Sequence, residues 1–431
     1  MSQNDPREGV ERSESADVLA VLDSIEPRVH AWLDANANDF DTFTLRTDKK
    51  TEYYRKAFGE AGLFLYVLDS LGDQPAEMAT PVLHEVIVEQ VNDPKFTALV
   101  RREPRYFLRH AYPLVYTKKL GELTPENAAA IYDVLDDRSV WGFERTPHRM
   151  LDMWFFCRLF GFECDFGFES IVELCCLTHP PDPITATQQD TYALTHNLLY
   201  YHKFGIDEPI ASARFDIEDV VIDLLLRYLY EDNADIVLEL VMGGVLDGRL
   251  PVPLVSTIID WLQTKVHPSG FVQAPRDPFP DEDTDAREWE RHYHTTLVAG
   301  MAIPILQKYC YGDHVDTEQE NEIEPISELL ALGEIITAFH NYQLEEGARC
   351  LLDVADSPIV RRYPGVISRL VGYLREQQTD DGTFGYWTDE ASLYEVVESD
   401  PEKFRELIAE NSRVCTRAIR EYDDLGFGDE R

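Results

Sequence analysis

One histidine stands in a setting that suits proton transfer. Tyr192, His196 and Tyr200 are spaced i, i+4 and i+8, with Thr195 beside them, so on a helix two phenols flank the imidazole on one face. That arrangement suits a general base or a hydrogen-bond anchor for a ligand. It equally suits a buried histidine satisfied by tyrosine hydroxyls. His292 and His294 form His-x-His. On a helix these positions diverge, which argues against joint metal binding. His294, next to Thr295 and Thr296, is then a second cavity candidate or a polar residue near a helix start.

Other clusters offer other chemistry. Cys175 and His179 at i, i+4 have zinc spacing, but Pro180 follows directly and no third ligand stands out, whereas structural zinc calls for four. No metal is therefore expected. Asp380 and Asp381 precede Gly382 in a short turn. Paired carboxylates on such a loop suit acid–base hydrolysis of a glycoside, and Asp-Gly is also ordinary turn chemistry. There is no Gly-x-Ser-x-Gly, no His-Glu-x-x-His and no phosphate-binding glycine loop; nothing names a cofactor. The candidate residues are His196, Tyr192, Thr195 and His294, with Asp381 for the hydrolytic alternative.

The elements that position these residues read as helices. Apolar spacing predicts them over 16–36, 51–71, 81–91, 104–118, 150–160, 168–177, 188–204, 216–230, 235–246, 254–265, 287–309, 322–340, 344–354, 359–378 and 401–422, because apolar residues recur at i, i+3 and i+4. Thr124-Pro125 marks the start of one more, with threonine as cap and proline in the first turn. Almost no segment alternates with period two, so sheets are not expected. Helices with small polar residues among apolar ones, at Thr195, Thr295 and Cys415, suit an inner layer around a cavity.

Two stretches share a pattern. Tyr373 to Trp387 runs from a helix through Gln377-Gln378 into Asp380-Asp381-Gly382-Thr383-Phe384, and Trp261 to Phe271 ends in Pro268-Ser269-Gly270-Phe271. A third, fainter copy runs from Leu159 to Phe168. Glutamine is placed to cap helix carbonyls, glycine to take positive φ, and phenylalanine to pin the turn to a neighbour. Helix, glutamine, turn and Gly-x-aromatic resembles the glutamine-tryptophan repeat of terpenoid cyclases and protein prenyltransferases. The resemblance implies an all-α fold, an α/α toroid built as a ring of helical hairpins, here with an N-terminal helical extension. Asp281-Glu282-Asp283-Thr284-Asp285 approaches two acidic patterns of terpene synthases but departs from them at Glu282 and Thr284, and reads as a solvated loop. The pattern as a whole is also similar to an uncharacterised family of halophilic archaea, which brings no activity with it.

Composition bounds the rest. With 80 acidic and 39 basic residues, the net charge is −41. Such a surface repels nucleic acid and anionic membrane. It suits a folded protein in molar salt, where charges are screened over about 3 Å, and hence the cytoplasm of a salt-accumulating halophile. Seven scattered cysteines read as thiols rather than a disulfide framework. The first residues are polar and read as no signal peptide, and no apolar run is long enough to span a bilayer. The expected organisation is an acidic disordered tail over 1–16, an N-terminal helical region over 17–140 and the toroid over 141–431. Three function classes follow. One is an enzyme acting on an apolar or peptide-like substrate in a central cavity, with a small molecule or peptide as ligand; the others are a non-catalytic helical scaffold or binding protein and a carbohydrate-active α/α barrel.

Overall fold

A computed structural model describes residues 6–43, 48–207, 215–275, 288–310, 325–385 and 400–427. Among the described residues every regular element is a helix, apart from two isolated antiparallel bridges. The fold is all-α, as the helical spacing predicts. In chain order the α-helices are α1 (Pro6–Ala35), α2 (Asp48–Leu71), α3 (Ala76–Ala79), α4 (Pro81–Asn92), α5 (Pro94–Arg102), α6 (Leu108–Lys119), α7 (Pro125–Asp136), α8 (Arg138–Trp141), α9 (Pro147–Phe160), α10 (Phe168–Leu174), α11 (Gln188–Tyr201), α12 (Glu218–Tyr230), α13 (Ala234–Leu246), α14 (Val252–Lys265), α15 (Glu288–Cys310), α16 (Ile326–His340), α17 (Leu344–Val354), α18 (Ile359–Arg362), α19 (Pro364–Glu376) and α20 (Pro401–Asp424).

Local chemistry sets many of these boundaries. Thr124 Oγ1 accepts from the Asn127 amide at 3.4 Å, ahead of Pro125. The same device starts α5, which apolar spacing does not flag: Asp93 Oδ1 accepts from the Lys95 amide at 2.8 Å, ahead of Pro94. The helix expected over 359–378 is two helices, because Pro364 lacks an amide hydrogen and disfavours helical backbone before it; Tyr363 stands at the break with φ −120°. α10 ends at Leu174, short of the expected 177.

The helices form two compact units. The first comprises 1–180, 192–216 and 234–323. Here α13 packs on α15, α15 on α2, α2 on α6 and α6 on α9. α11 touches α9 through Tyr200 and Phe155, with ring centroids 5.7 Å apart, and touches α13 where Leu198 lies over Gly243. The contacts thus run in a closed circuit of six helices. Close approach within it depends on small residues: a Cβ on Gly62 of α2 would sit 2.3 Å from the Pro113 nitrogen of α6. From Ala234 to Val245 every residue of α13 is buried, as expected for a helix apolar on all sides. The second unit comprises 181–191, 217–233 and 324–431. In it α12 packs on α16 and α19, α16 on α17, and α20 on both α17 and α19. The Arg369 guanidinium forks onto Asp223 at 2.5 and 2.7 Å.

The two bridges close the two stronger repeat turns. Val266 pairs with Val272, and Gln378 with Phe384. Gly270 and Gly382 both take positive φ, 110° and 82°. Phe271 is sandwiched between His267 and His292, each centroid 4.3 Å away. Phe384 is buried, and its amide donates to Ser412 Oγ of α20 at 2.9 Å. The glutamine does something other than cap the helix: Gln378 Nε2 donates across the turn to the Gly382 carbonyl at 3.0 Å. The third stretch differs from both. Gly161 ends α9 in the left-handed region, while Gly167 has φ −70° and precedes α10. It is a helix–loop–helix junction, since its glycine and phenylalanine open a new helix.

Candidate functional site

All six helices of the circuit turn polar side chains toward one another. The floor is made by α13 and α11. Asp235 and Glu239, both 3% exposed, are one helical turn apart and share a face. The Tyr192 hydroxyl donates to Asp235 Oδ2 at 2.5 Å, and Thr195 Oγ1 donates to Glu239 Oε2 at 2.5 Å. His196 Nε2 lies 3.6 Å from Glu239 Oε1. Its ring has Tyr192 and Tyr200 on either side, both with centroids 6.1 Å away, and His148 of α9 at 5.8 Å.

α15 and α2 complete the cluster. His294 Nδ1 meets Glu60 Oε2 at 3.0 Å, and its Nε2 meets Asp235 Oδ1 at 3.4 Å. Lys56 pairs with Glu60 at 3.3 Å. A second polar group lies between α6, α9 and α11, where buried Asp152 accepts from the Tyr112 hydroxyl and pairs with Arg149 at 3.2 Å. The side chains of His196, His294 and Glu60 keep 24, 25 and 23% of their surface accessible, while Lys56 and Arg149 are about half exposed at 46 and 48%. Exposure therefore grades from buried Asp235 and Glu239 through quarter-exposed His196, His294 and Glu60 to half-exposed Lys56 and Arg149, so this polar recess reaches from the interior to the surface.

Charge around His294 is set by pairing. Burial alone would depress the His294 imidazolium, but the Asp235 and Glu60 carboxylates outweigh it and hold the group up at about 10. Glu60 is held down at about 2: burial opposes ionisation, and His294 and Lys56 overcome it. Asp235 is likewise lowered against the effect of burial, by His294 and then the Tyr192 hydroxyl. An ionised triad of this kind is a preorganised electrostatic field inside a low-dielectric wall.

Four of the residues singled out by sequence, Tyr192, Thr195, His196 and His294, come together here. Thr295 is buried beside His294 on α15. Asp381 stands elsewhere, exposed in the second unit. It accepts from Thr379 Oγ1 at 2.6 Å, Thr383 Oγ1 at 2.7 Å and the Thr383 amide at 3.2 Å, and the Thr379 hydroxyl before the others lowers its pKa. Cys415 also lies in the second unit, hydrogen-bonded to Asn411 at 3.2 Å. His292 turns away from His294: it stacks on Phe271, and its Nδ1 accepts from the Ala274 amide at 3.1 Å. Cys175 is buried at the end of α10, while His179 is exposed. The acidic loop 281–285 lies outside the described residues.

Sequence reasoning missed Glu60, Asp235, Glu239 and Asp152. A signal existed. Asp235 and Glu239 interrupt Ile236-Val237-Leu238 and Leu240-Val241-Met242, and Glu60 interrupts Ala57-Phe58-Gly59 and Ala61-Gly62-Leu63. Acids are almost never fully buried unless paired, so an acid within an apolar helix announces a buried partner.

Among the described residues no helix is long and apolar enough to cross a membrane. No curated protein and no solved structure matches the chain. A family model described as a domain of unknown function, DUF6895, matches residues 27–303, a span that holds every residue of the recess named above. Because that match covers more than half of the 431 residues, the chain belongs to the DUF6895 family.

Proposed function

We propose that the recess of the first unit is an enzyme site for acid–base chemistry on a small polar or peptide-like molecule, with His196 as the proton-transfer group. The observation that carries this reading is the convergence of ionisable and hydroxyl side chains from six helices on one recess. Taking charges out of water costs several kcal/mol per ion even when paired. A cluster kept at that cost is a functional-site candidate. His196 stands on the wall with its Nε2 toward Glu239, which would balance the imidazolium formed when the ring takes a proton. Thr195 holds Glu239, and the ionised His294 triad supplies fixed charge for orienting a polar substrate.

The same reading takes the circuit of six helices as the inner layer of an α/α toroid, the arrangement that the glutamine-aromatic turns resemble. It keeps the salt-accumulating halophile and the cytoplasm as setting. A net charge of −41 disfavours nucleic acid as partner.

The test is turnover of a panel of small esters, amides and glycosides by the wild type, His196→Gln and Asp381→Asn. The expected result is turnover in the wild type and in Asp381→Asn, lost in His196→Gln with an unchanged circular dichroism spectrum. Loss confined to Asp381→Asn would move the chemistry to the acidic turn. If nothing on the panel is turned over but a compound raises the melting temperature, the chain is a non-catalytic binding protein.

A further inference from the structure

We propose that Asp235, Glu239 and His294 hold a divalent cation of the Mn2+ or Zn2+ class, with Glu60, Tyr192 and Thr195 orienting the three ligands. The site lies in the same recess, and its use in catalysis rests on the reading above.

Two independent observations carry it. The first is convergence: one ligand atom from each of Asp235, Glu239 and His294 lies within 4.8 Å of the other two. The second is the pattern of partners. Glu60 takes His294 Nδ1 at 3.0 Å, Tyr192 takes Asp235 Oδ2, and Thr195 takes Glu239 Oε2, both at 2.5 Å. Each contact occupies one polar atom of a ligand, and the second atoms are held only at longer range: His294 Nε2 and Asp235 Oδ1 stand 3.4 Å apart, and Glu239 Oε1 stands 3.6 Å from His196 Nε2. Asp235 is 3% exposed, yet its Oδ1 has no hydrogen bond, and the His294 Nε2 that approaches it stands at 3.4 Å. The imidazolium pairs with this buried oxygen only at that long distance, and a cation between the two atoms would satisfy it more fully.

Chemistry narrows the ion. Two carboxylate oxygens and one imidazole nitrogen form a mixed donor set that suits Mn2+ or Zn2+ and, lacking thiolate, not the soft metals. A bound cation would displace the proton that the His294 imidazolium carries on Nε2; Glu60 would keep the one on Nδ1, since carboxylate to histidine to metal is the usual way such a ligand is oriented. Three protein ligands leave coordination positions open, as catalytic sites do. A water bound there, on the side of His196, would be acidified by the ion.

The experiment is titration of the full chain with Mn2+ and, separately, Zn2+ in molar KCl, which screens diffuse binding by the acidic surface. Calorimetry reads the stoichiometry, and pulsed electron paramagnetic resonance reads nitrogen hyperfine coupling to bound Mn2+. The expected result is one equivalent with nitrogen coupling. Binding should be lost in Asp235→Asn and His294→Gln, and weakened about tenfold to a hundredfold in Glu60→Gln. The exposed control Asp133→Asn should bind as wild type. Several weak equivalents shared by all variants, without nitrogen coupling, would overturn the site. If a ligand variant does not fold, the coupling in wild type decides alone. His196→Gln separates the two proposals: it should keep the cation and lose turnover. A cation bound with turnover intact in that variant would sink only the acid–base role. Turnover that depends on His196 in a protein binding no cation would sink only the cation.

Discussion

A buried imidazole with no partner is a residue-scale liability that acid exposes. His110 is fully buried, and neither ring nitrogen has a hydrogen-bond partner. Burial first, then the nearby Arg55 and Arg109, depress its pKa to about 3. In the unfolded chain a histidine titrates near 6.5, so on acidification the unfolded state takes up the proton first. The contribution of this neutral ring is fully present above pH 6.5 and erodes as pH falls from there toward about 3. His110→Phe, which keeps the edge contact to Phe96, should flatten the acid side of a melting-temperature profile in that window. At pH 7 it should be neutral or mildly stabilising, because the unpaired polar atoms are gone. An acid limb as steep as wild type would remove His110 from the account. His196 and Tyr192 make a contrasting pair. His196 Nδ1 has no partner and Nε2 stands 3.6 Å from Glu239, so His196→Gln should change stability by no more than about 1 kcal/mol. Tyr192→Phe takes the donor from buried Asp235 Oδ2 and should cost about 1–3 kcal/mol. Chemical denaturation of both variants checks the order, and a larger loss in His196→Gln would make that residue a core element.

At the scale of elements, the two repeat turns share a geometry but differ in what surrounds them. Both glycines have positive φ, which costs a side-chain-bearing residue about 1–2 kcal/mol. Gly382 has open surroundings: an added Cβ would have Gln378 Nε2 at 3.7 Å and nothing closer. Gly270 is pressed against α1, where that Cβ would fall 2.1 Å from the Arg28 carbonyl oxygen and 3.1 Å from Trp32 Cβ. Arg28 returns the contact, its guanidinium donating to the His267 carbonyl at 2.7 Å. Gly382→Ala should therefore cost little beyond the backbone term. Gly270→Ala should cost clearly more, because α1 must move away from the turn. Thermal unfolding of the two variants side by side measures the difference, and equal losses would show that the turn does not dock α1.

At the scale of the whole molecule, charge is the governing term. A net −41 repels itself over roughly 30 Å at about 0.01 M salt and over about 3 Å at molar salt. Self-repulsion acts on the compact state more than on the expanded one. The melting temperature should therefore fall when salt is diluted from molar to millimolar, in KCl as in NaCl. A melting temperature that holds or rises on dilution would refute adaptation to high salt.

What the sequence determined by itself is local. Period 3.6 in the apolar residues specifies helices, because a helix buries one stripe wherever it ends up. Thr124-Pro125 and Asp93-Pro94 specify helix starts, and Gly270 and Gly382 specify turns, since each is satisfied within a few residues of itself. Tyr192, Thr195, His196 and His294 could be singled out because residue type and i, i+4 spacing are visible in one helix. Their partners could not. Glu60 and His294 are 234 positions apart, and no local rule connects α2 to α15. The apolar neighbours of Asp235 announce a buried partner, but only packing decides that the partner is the imidazole of His294. The recess was decided by tertiary structure alone, because only the packing of six helices around it determines which charges must pair.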